Sequence, residues 1–444
     1  MRRQGMIWLS IGVFLILCSQ AFALEVKFSG EFVAGGMAFD KTTVRKDTAS
    51  DGPSTAFYFQ RLRVKTDFVV AQGLTLITRF DAMERAWGAL RSAPATGLDT
   101  MSAGTRAENE NLSFDWVYLT YKSPVGLWRA GYMSDGAWGT AFMDTSTPRG
   151  KLAWVYTTPQ WMFTLQIAKM AERSYSVTSP GQTASDLDGD KYCGAFRYRW
   201  NGGETGILIG LGRDAGNKPS PQSYKSVYNN FMPYVKAQIG PVRLQAEVIY
   251  FIGKLRDYEE DAYAGDVKIE AFSGWVDATA DLGRFYAGGT LAYVAGDDPG
   301  TADKAEGDAM RNNGGRDWSP CLIMWNEERS YWAGNIDGHQ NARQSSPMYN
   351  AWFFQVRGGV KPVEKIDIMA SVSWAGADKK PTADWLHNDY GAEIDVIATY
   401  KITNNLSYMV GFGYLLTGKY YRGTSDLNAV CDDYLAINKL TLTF

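Results

Sequence analysis

The segment FQRLRVKTDF, residues 59–68, alternates with period two. On a strand, Arg61, Arg63, Lys65 and Asp67 share one face, while Leu62, Val64, Thr66 and Phe68 share the other. Such a strand buries its apolar face either in a soluble sandwich or against lipid, and in lipid its charged face must line a wet interior. An Arg or Lys turned to mid-bilayer lipid costs about 2–4 kcal/mol. Three on one strand would cost about 6–12 kcal/mol, comparable to the net stability of a whole domain.

The rest of the chain decides between the two. The same alternation marks candidate strands at 25–39, 57–71, 74–87, 110–122, 126–137, 149–157, 161–172, 190–200, 205–214 and 229–240. More follow at 242–256, 267–283, 284–297, 349–361, 365–378, 389–401, 405–418 and 433–444, giving eighteen. Tight turns such as Gln72-Gly73, Pro124-Val125, Gly240-Pro241 and Asn404-Asn405 alternate with long polar connections, of which 298–348 is the longest. A sandwich has no reason to alternate this way. A transmembrane antiparallel β-barrel does, with short periplasmic turns and long outer loops. An even strand number leaves both termini on the short-turn side.

The lipid-cost test assigns each strand's faces. The candidate pore-lining residues are Arg61, Arg63, Lys65, Asp67, Arg79, Asp81, Arg129, Arg197, Arg199, Lys236, Arg243 and Glu247, then Asp277, Asp281, Arg357, Asp367, Glu393 and Asp395. Read around the wall, strands 2–11 form a basic arc and strands 12–16 an acidic one. Such a pore is expected to carry a transverse field and a mild anion preference. In 298–348, GGRDWSPCLIMWN is too apolar for a free outer loop. Trp318, Leu322 and Trp325 therefore become candidates for a constriction or a cap. An eighteen-stranded barrel is otherwise wide enough for an aqueous channel.

The ends agree with export. Arg2 and Arg3, an apolar run from Met6 to Leu17 and Ala21-Phe22-Ala23 read as a signal peptide, residues 1–23, cleaved after Ala23. The barrel domain is then 24–444. The C-terminal strand alternates and closes on Phe444, an assembly signal for the barrel-assembly machinery, although Lys439 stands where a glycine is usual. The formal charge of −3 becomes −3 − 2 = −5 when the two leader arginines are removed, which argues against a nucleic-acid partner.

Other chemistries find little support. Cys193, Cys321 and Cys431 form no metal or haem motif and allow at most one internal disulfide. Asp186, Asp188 and Asp190 have a spacing compatible with calcium but lack a bidentate Glu at the twelfth position. His339 and His387 have no nucleophile partner motif, so the reading is a non-enzyme without a cofactor, bounded by outer-membrane lipid and open to small hydrophilic solutes. The oligomeric state is left open.

The stretches FQRLRVKTDF, LTLITRFDAMERAWG, FDWVYLTYKSPVGLWRAGYM and GGRDWSPCLIMWN together resemble a group of Gram-negative outer-membrane porins, and more distantly the alginate-export barrels. The first resemblance implies passive diffusion and the second polysaccharide passage. A sheath around a partner cytochrome is a third possibility.

Overall fold

The computed structural model describes residues 25–46, 54–89, 112–173, 187–217, 223–259 and 265–444. The expected signal segment lies outside them. Thirteen long strands come first: β1 (Glu25–Phe39), β2 (Thr55–Ala71), β3 (Leu74–Ala86), β4 (Leu112–Ser123), β5 (Gly126–Asp135), β6 (Thr147–Thr157), β7 (Trp161–Ala171), β8 (Gly189–Trp200), β9 (Gly203–Asp214), β10 (Tyr224–Ile239), β11 (Val242–Tyr258), β12 (Val267–Leu282) and β13 (Phe285–Val294). Within the 295–350 connection lie two-residue strands β14 (Lys304–Ala305), β15 (Ile336–Asp337) and β16 (Arg343–Gln344), and a short helix α1 (Glu327–Ala333). Five long strands complete the wall: β17 (Ala351–Val363), β18 (Ile366–Gly376), β19 (Asp389–Lys401), β20 (Leu406–Thr417) and β21 (Asp433–Thr443).

The eighteen long strands each pair antiparallel with their neighbours, and β1 pairs with both β2 and β21. The sheet is therefore a closed barrel, and closure leaves no wall strand with an unpaired edge. No helix among the described residues is long and apolar enough to cross a membrane.

The face assignment follows the pleat. On β7, Phe163, Leu165 and Ile167 are exposed on the outside, while Ala168 is fully buried inside. Outward aromatics collect near the short turns, as in the girdles of transmembrane barrels. Trp161 lies 4.3 Å from Tyr198, and Trp128 6.4 Å from Trp154, between ring centroids.

The C-terminal residue takes part in closure. Gly30 N–H donates to the Phe444 carbonyl at 2.8 Å and Phe444 N–H returns a bond at 3.1 Å. A Cβ on Gly30 would stand 2.7 Å from the Phe444 ring, so only glycine fits beneath it. Lys439 has a role of its own, because its ammonium reaches inward to Glu328 on α1 at 2.9 Å.

Candidate functional site

Two connections turn into the lumen. The shorter, 136–146, leaves β5 and crosses to the inner wall of β10–β12. Trp138 donates its indole N–H to the Met232 carbonyl at 2.9 Å, and Thr140 gives Glu247 its backbone N–H at 2.8 Å and its hydroxyl at 2.5 Å. Phe142 is fully buried and stacks on Trp275 at 5.8 Å. The longer, 295–350, lies over β17–β20. Gln355 donates to the Pro320 carbonyl at 2.8 Å, and Glu393 accepts Ile323 N–H at 2.6 Å and Met324 N–H at 2.7 Å. The two connections also meet, since Asp317 N–H donates to the Asp144 carbonyl at 2.9 Å and Ser146 donates to the Asp317 carboxylate at 2.7 Å.

Apolar burial explains the inward course. Leu322, Ile323, Met324 and Trp325 keep 5 % or less of their surface, and each such side chain gains about 1.5–3 kcal/mol on leaving water. Trp325 and Trp318 meet Phe353 edge-on at 5.5 and 5.6 Å. This is where the structure places Trp318, Leu322 and Trp325, the candidates for a constriction or a cap. They are anchors pressed against the wall, and the exposed residues of the segment are Arg316, Asp317 and Ser319.

The inward acids are covered in the same way, two on the acidic arc and Glu247 on the basic one. Glu393, Asp395 and Glu247 retain 0, 1 and 1 % of their surface. They border loop backbone instead of open lumen, because loop N–H groups have taken their place beside the carboxyls. Asp277 is paired with Arg357 at 2.8 Å, a cation standing within the acidic arc. Asp367 accepts the Tyr286 hydroxyl at 2.8 Å, and Asp281 caps a short turn through Gly283 N–H at 3.1 Å. A basic wall facing a bare acidic wall is therefore not what the barrel presents.

The basic arc divides into paired and unpaired cations. Arg61 contacts Glu31 at 3.2 Å and Glu84 at 3.7 Å, Lys65 contacts Asp67 at 2.8 Å, and Arg63 binds Asp81 through two bonds of 2.7 Å. Arg199 contacts Glu204 at 2.9 Å, with Lys236 further from the same carboxylate at 3.9 Å. Arg79 is clamped by Asp115 and stacks over Trp116 at 3.5 Å. Arg129, Arg197 and Arg243 have no ion-pair partner within 4 Å among the described residues.

Several inner-face residues escaped the sequence reading. Asp115 and Trp116 both face inward because the β3–β4 register slips at Arg79/Phe80, a bulge that strict alternation cannot show. Lys151 and Lys191 each reach Asp135 at 3.3 Å, and Arg149 approaches it at 3.7 Å. Their period-two positions on β6 and β8 were a usable signal. Thr140 and Phe142 gave none, since a connection has no periodicity to read.

One open cavity lies against β4–β10. This cavity of about 380 Å³ is bordered by Arg129, Lys151, Lys191 and the acid Asp135, together with Trp116, Trp138 and Gln166. Arg129 is exposed to it.

Of the calcium candidates, Asp186 lies outside the described residues, and Asp188 and Asp190 both bind the Lys169 ammonium, at 2.5 and 3.0 Å. That ammonium stands where a cation would. Among the described residues, Cys193 and Cys321 form no disulfide. His339 holds the Ala429 carbonyl at 2.8 Å and His387 holds Asp426 at 2.7 Å, both in outer connections.

No protein-family model matches the sequence, and no curated protein sequence matches it. Solved structures do resemble its fold. The Pseudomonas aeruginosa channel OccK9 (OpdG) is 14 % identical with a TM-score of 0.52, covering 94 % of this chain and 99 % of its own. OccK5 (OpdH) of P. aeruginosa is 11 % identical with a TM-score of 0.51, covering 95 % and 98 %. OccK2 (OpdF) of P. aeruginosa, solved with glucuronate, is 11 % identical with a TM-score of 0.50, covering 94 % and 98 %. The fold is that of outer-membrane channel barrels. None of these three is an alginate-export barrel.

Proposed function

We propose that this chain forms a water-filled channel of the Gram-negative outer membrane that passes ions and small hydrophilic solutes, with a mild preference for anions. One observation carries the reading. The lumen is narrowed by loops that bury Glu247, Glu393 and Asp395, while three cations, Arg129, Lys151 and Lys191, and one acid, Asp135, border a cavity against β4–β10. Cations along a low-dielectric wall raise the local anion concentration. Two inserted loops also argue against an enclosed cytochrome or a passing polymer, both of which need the lumen clear. The glucuronate found in OccK2 makes small organic anions the first solutes to try.

Purified protein in a planar bilayer tests this. The expected result is discrete ohmic conductance steps with a reversal potential on the anion-selective side at low salt. A non-conducting barrel, or cation selectivity at low salt, contradicts it.

A further inference from the structure

The two inserted loops are fastened by the same device. Each offers backbone N–H groups to a wall carboxyl that is buried and has no ion-pair partner among the described residues. Glu247 holds Thr140 in this way, and Glu393 holds Ile323 and Met324. At Glu393 the device is doubled. Asp395, two residues along the same inner face of β19, is buried beside it. Carboxyl oxygens of both, with the Cys321 sulfur, lie within 4.8 Å of one another.

Among the described residues, the surroundings supply no counter-charge at bonding distance. On β18, Ser371 donates weakly to Asp395 at 3.5 Å, and Ser373 accepts from Cys321 at 3.3 Å. Gln355 on β17 donates to Ser373 at 3.0 Å, and β20 sets the uncharged Leu415 and Gly413 opposite Glu393 and Asp395. From the loops, Arg329 on α1 and Tyr421 feel Glu393 electrostatically without forming an ion pair with it. Burial holds the Cys321 thiol well above its ordinary range, so it stays neutral beside the pair. Two carboxylates sharing a dry site without a counter-charge cannot both ionise, so one proton stays with the pair.

We propose that the 295–350 connection is locked into the lumen by a proton shared between Glu393 and Asp395, and that alkaline pH releases it. The sign follows from linkage. Docking buries two carboxyls close together without a counter-charge, so it takes up a proton that both release in water. Docking is therefore favoured at low pH and lost as pH rises through the docked pair's titration. The loop–loop contact acts in the same direction. Burial, and the nearby Asp317 carboxylate, push Asp144 up to about 6, so its ionisation sets two carboxylates against each other across this contact.

The inference rests on the channel reading only for its electrical readout, so the test has two. Conductance is recorded stepwise from pH 5 to pH 10, and labelling of Cys321 by a membrane-impermeant thiol reagent is timed on the folded protein. The expected result is an alkaline rise in conductance of two-fold or more together with faster Cys321 labelling. Asp395→Asn, which cannot ionise, is expected to flatten the conductance step and to slow labelling at least ten-fold relative to the parent at the same alkaline pH. Comparison at one pH removes the thiol's own titration. Equal labelling rates in parent and Asp395→Asn overturn the lock, whatever the barrel conducts. A divalent cation retained in 1:1 amount and lost in Asp395→Asn overturns it too, since a metal and not a proton would join the pair. Labelling that follows the expected pattern in a non-conducting protein sustains the lock and refutes the channel.

Discussion

Deleting residues 298–348 and joining the ends with a short turn is expected to raise single-channel conductance several-fold and leave the barrel standing. The wall does not depend on the loop for its register. Val294 already pairs with Ala351 at the mouth of the β13–β17 hairpin, and the pairing runs unbroken to Phe285–Val360. What is lost is an apolar anchor, Leu322 to Trp325, seated on Phe353 and on the inner faces of β19 and β20. Its removal opens the lumen and uncovers Glu393 and Asp395, which then ionise in water. The same deletion is therefore expected to move selectivity toward cations. Conductance and reversal potential, read together, check both parts. A deletion variant with the parent's conductance would mean that the segment caps the barrel from outside the current path.

Reversing the charge of one residue, Arg129→Glu, is expected to turn the anion preference into a cation preference at low salt. Arg129 is exposed, borders the cavity against β4–β10 and has no acid within ion-pair distance among the described residues. Its field reaches the solute path without a local counter-charge. Lys151 and Lys191 already share Asp135. Screening falls off over about 10 Å at 0.1 M salt and about 3 Å at 1 M, so the shift in reversal potential should fade as salt is raised. Arg129→Gln should give roughly half of it. Neutralising Arg61, Arg63 and Lys65 together is a poorer test. Asp81 keeps only 6 % of its surface, and stripping the partner from a buried pair costs about 3–5 kcal/mol. That triple change measures wall stability as much as selectivity.

The wall was legible because a barrel strand obeys one rule over its whole length. Charges at Arg61, Arg63 and Lys65 forced the neighbours Leu62 and Val64 outward, and β1 lies at Glu25–Phe39, where the alternation placed it. Burial was not legible from that rule. Alternation says that Glu393 and Asp395 face inward, but it cannot say that Ile323 and Met324 will lie on top of them. Long-range contacts between a loop and a strand some seventy residues later leave no periodic trace. The apolar run CLIMW did signal that 298–348 is not a free loop. It could not show which side of Trp318 or Trp325 would meet solute, and the pocketing of those rings against Phe353 settles that they do not. Asp115 was hidden by the β3–β4 bulge. Pairings such as Arg63–Asp81 join adjacent strands, so they become visible only once the register is known.

The central claim is that water follows the β4–β10 side of the lumen while loops cover the β17–β20 side. Cysteine accessibility measures it directly, in protein whose Cys193, Cys321 and Cys431 are first replaced by serine and which is reconstituted in liposomes. Single cysteines are introduced by Gln166→Cys on the open side, Ser373→Cys under the loop and Leu165→Cys on the outer face, then exposed to a charged, membrane-impermeant thiol reagent. Gln166 borders the cavity, Ser373 keeps 1 % of its surface, and Leu165 is exposed on the apolar outer wall. The account predicts rapid labelling after Gln166→Cys and little after the other two. Labelling after Ser373→Cys as fast as after Gln166→Cys, or rapid labelling after Leu165→Cys, would contradict it.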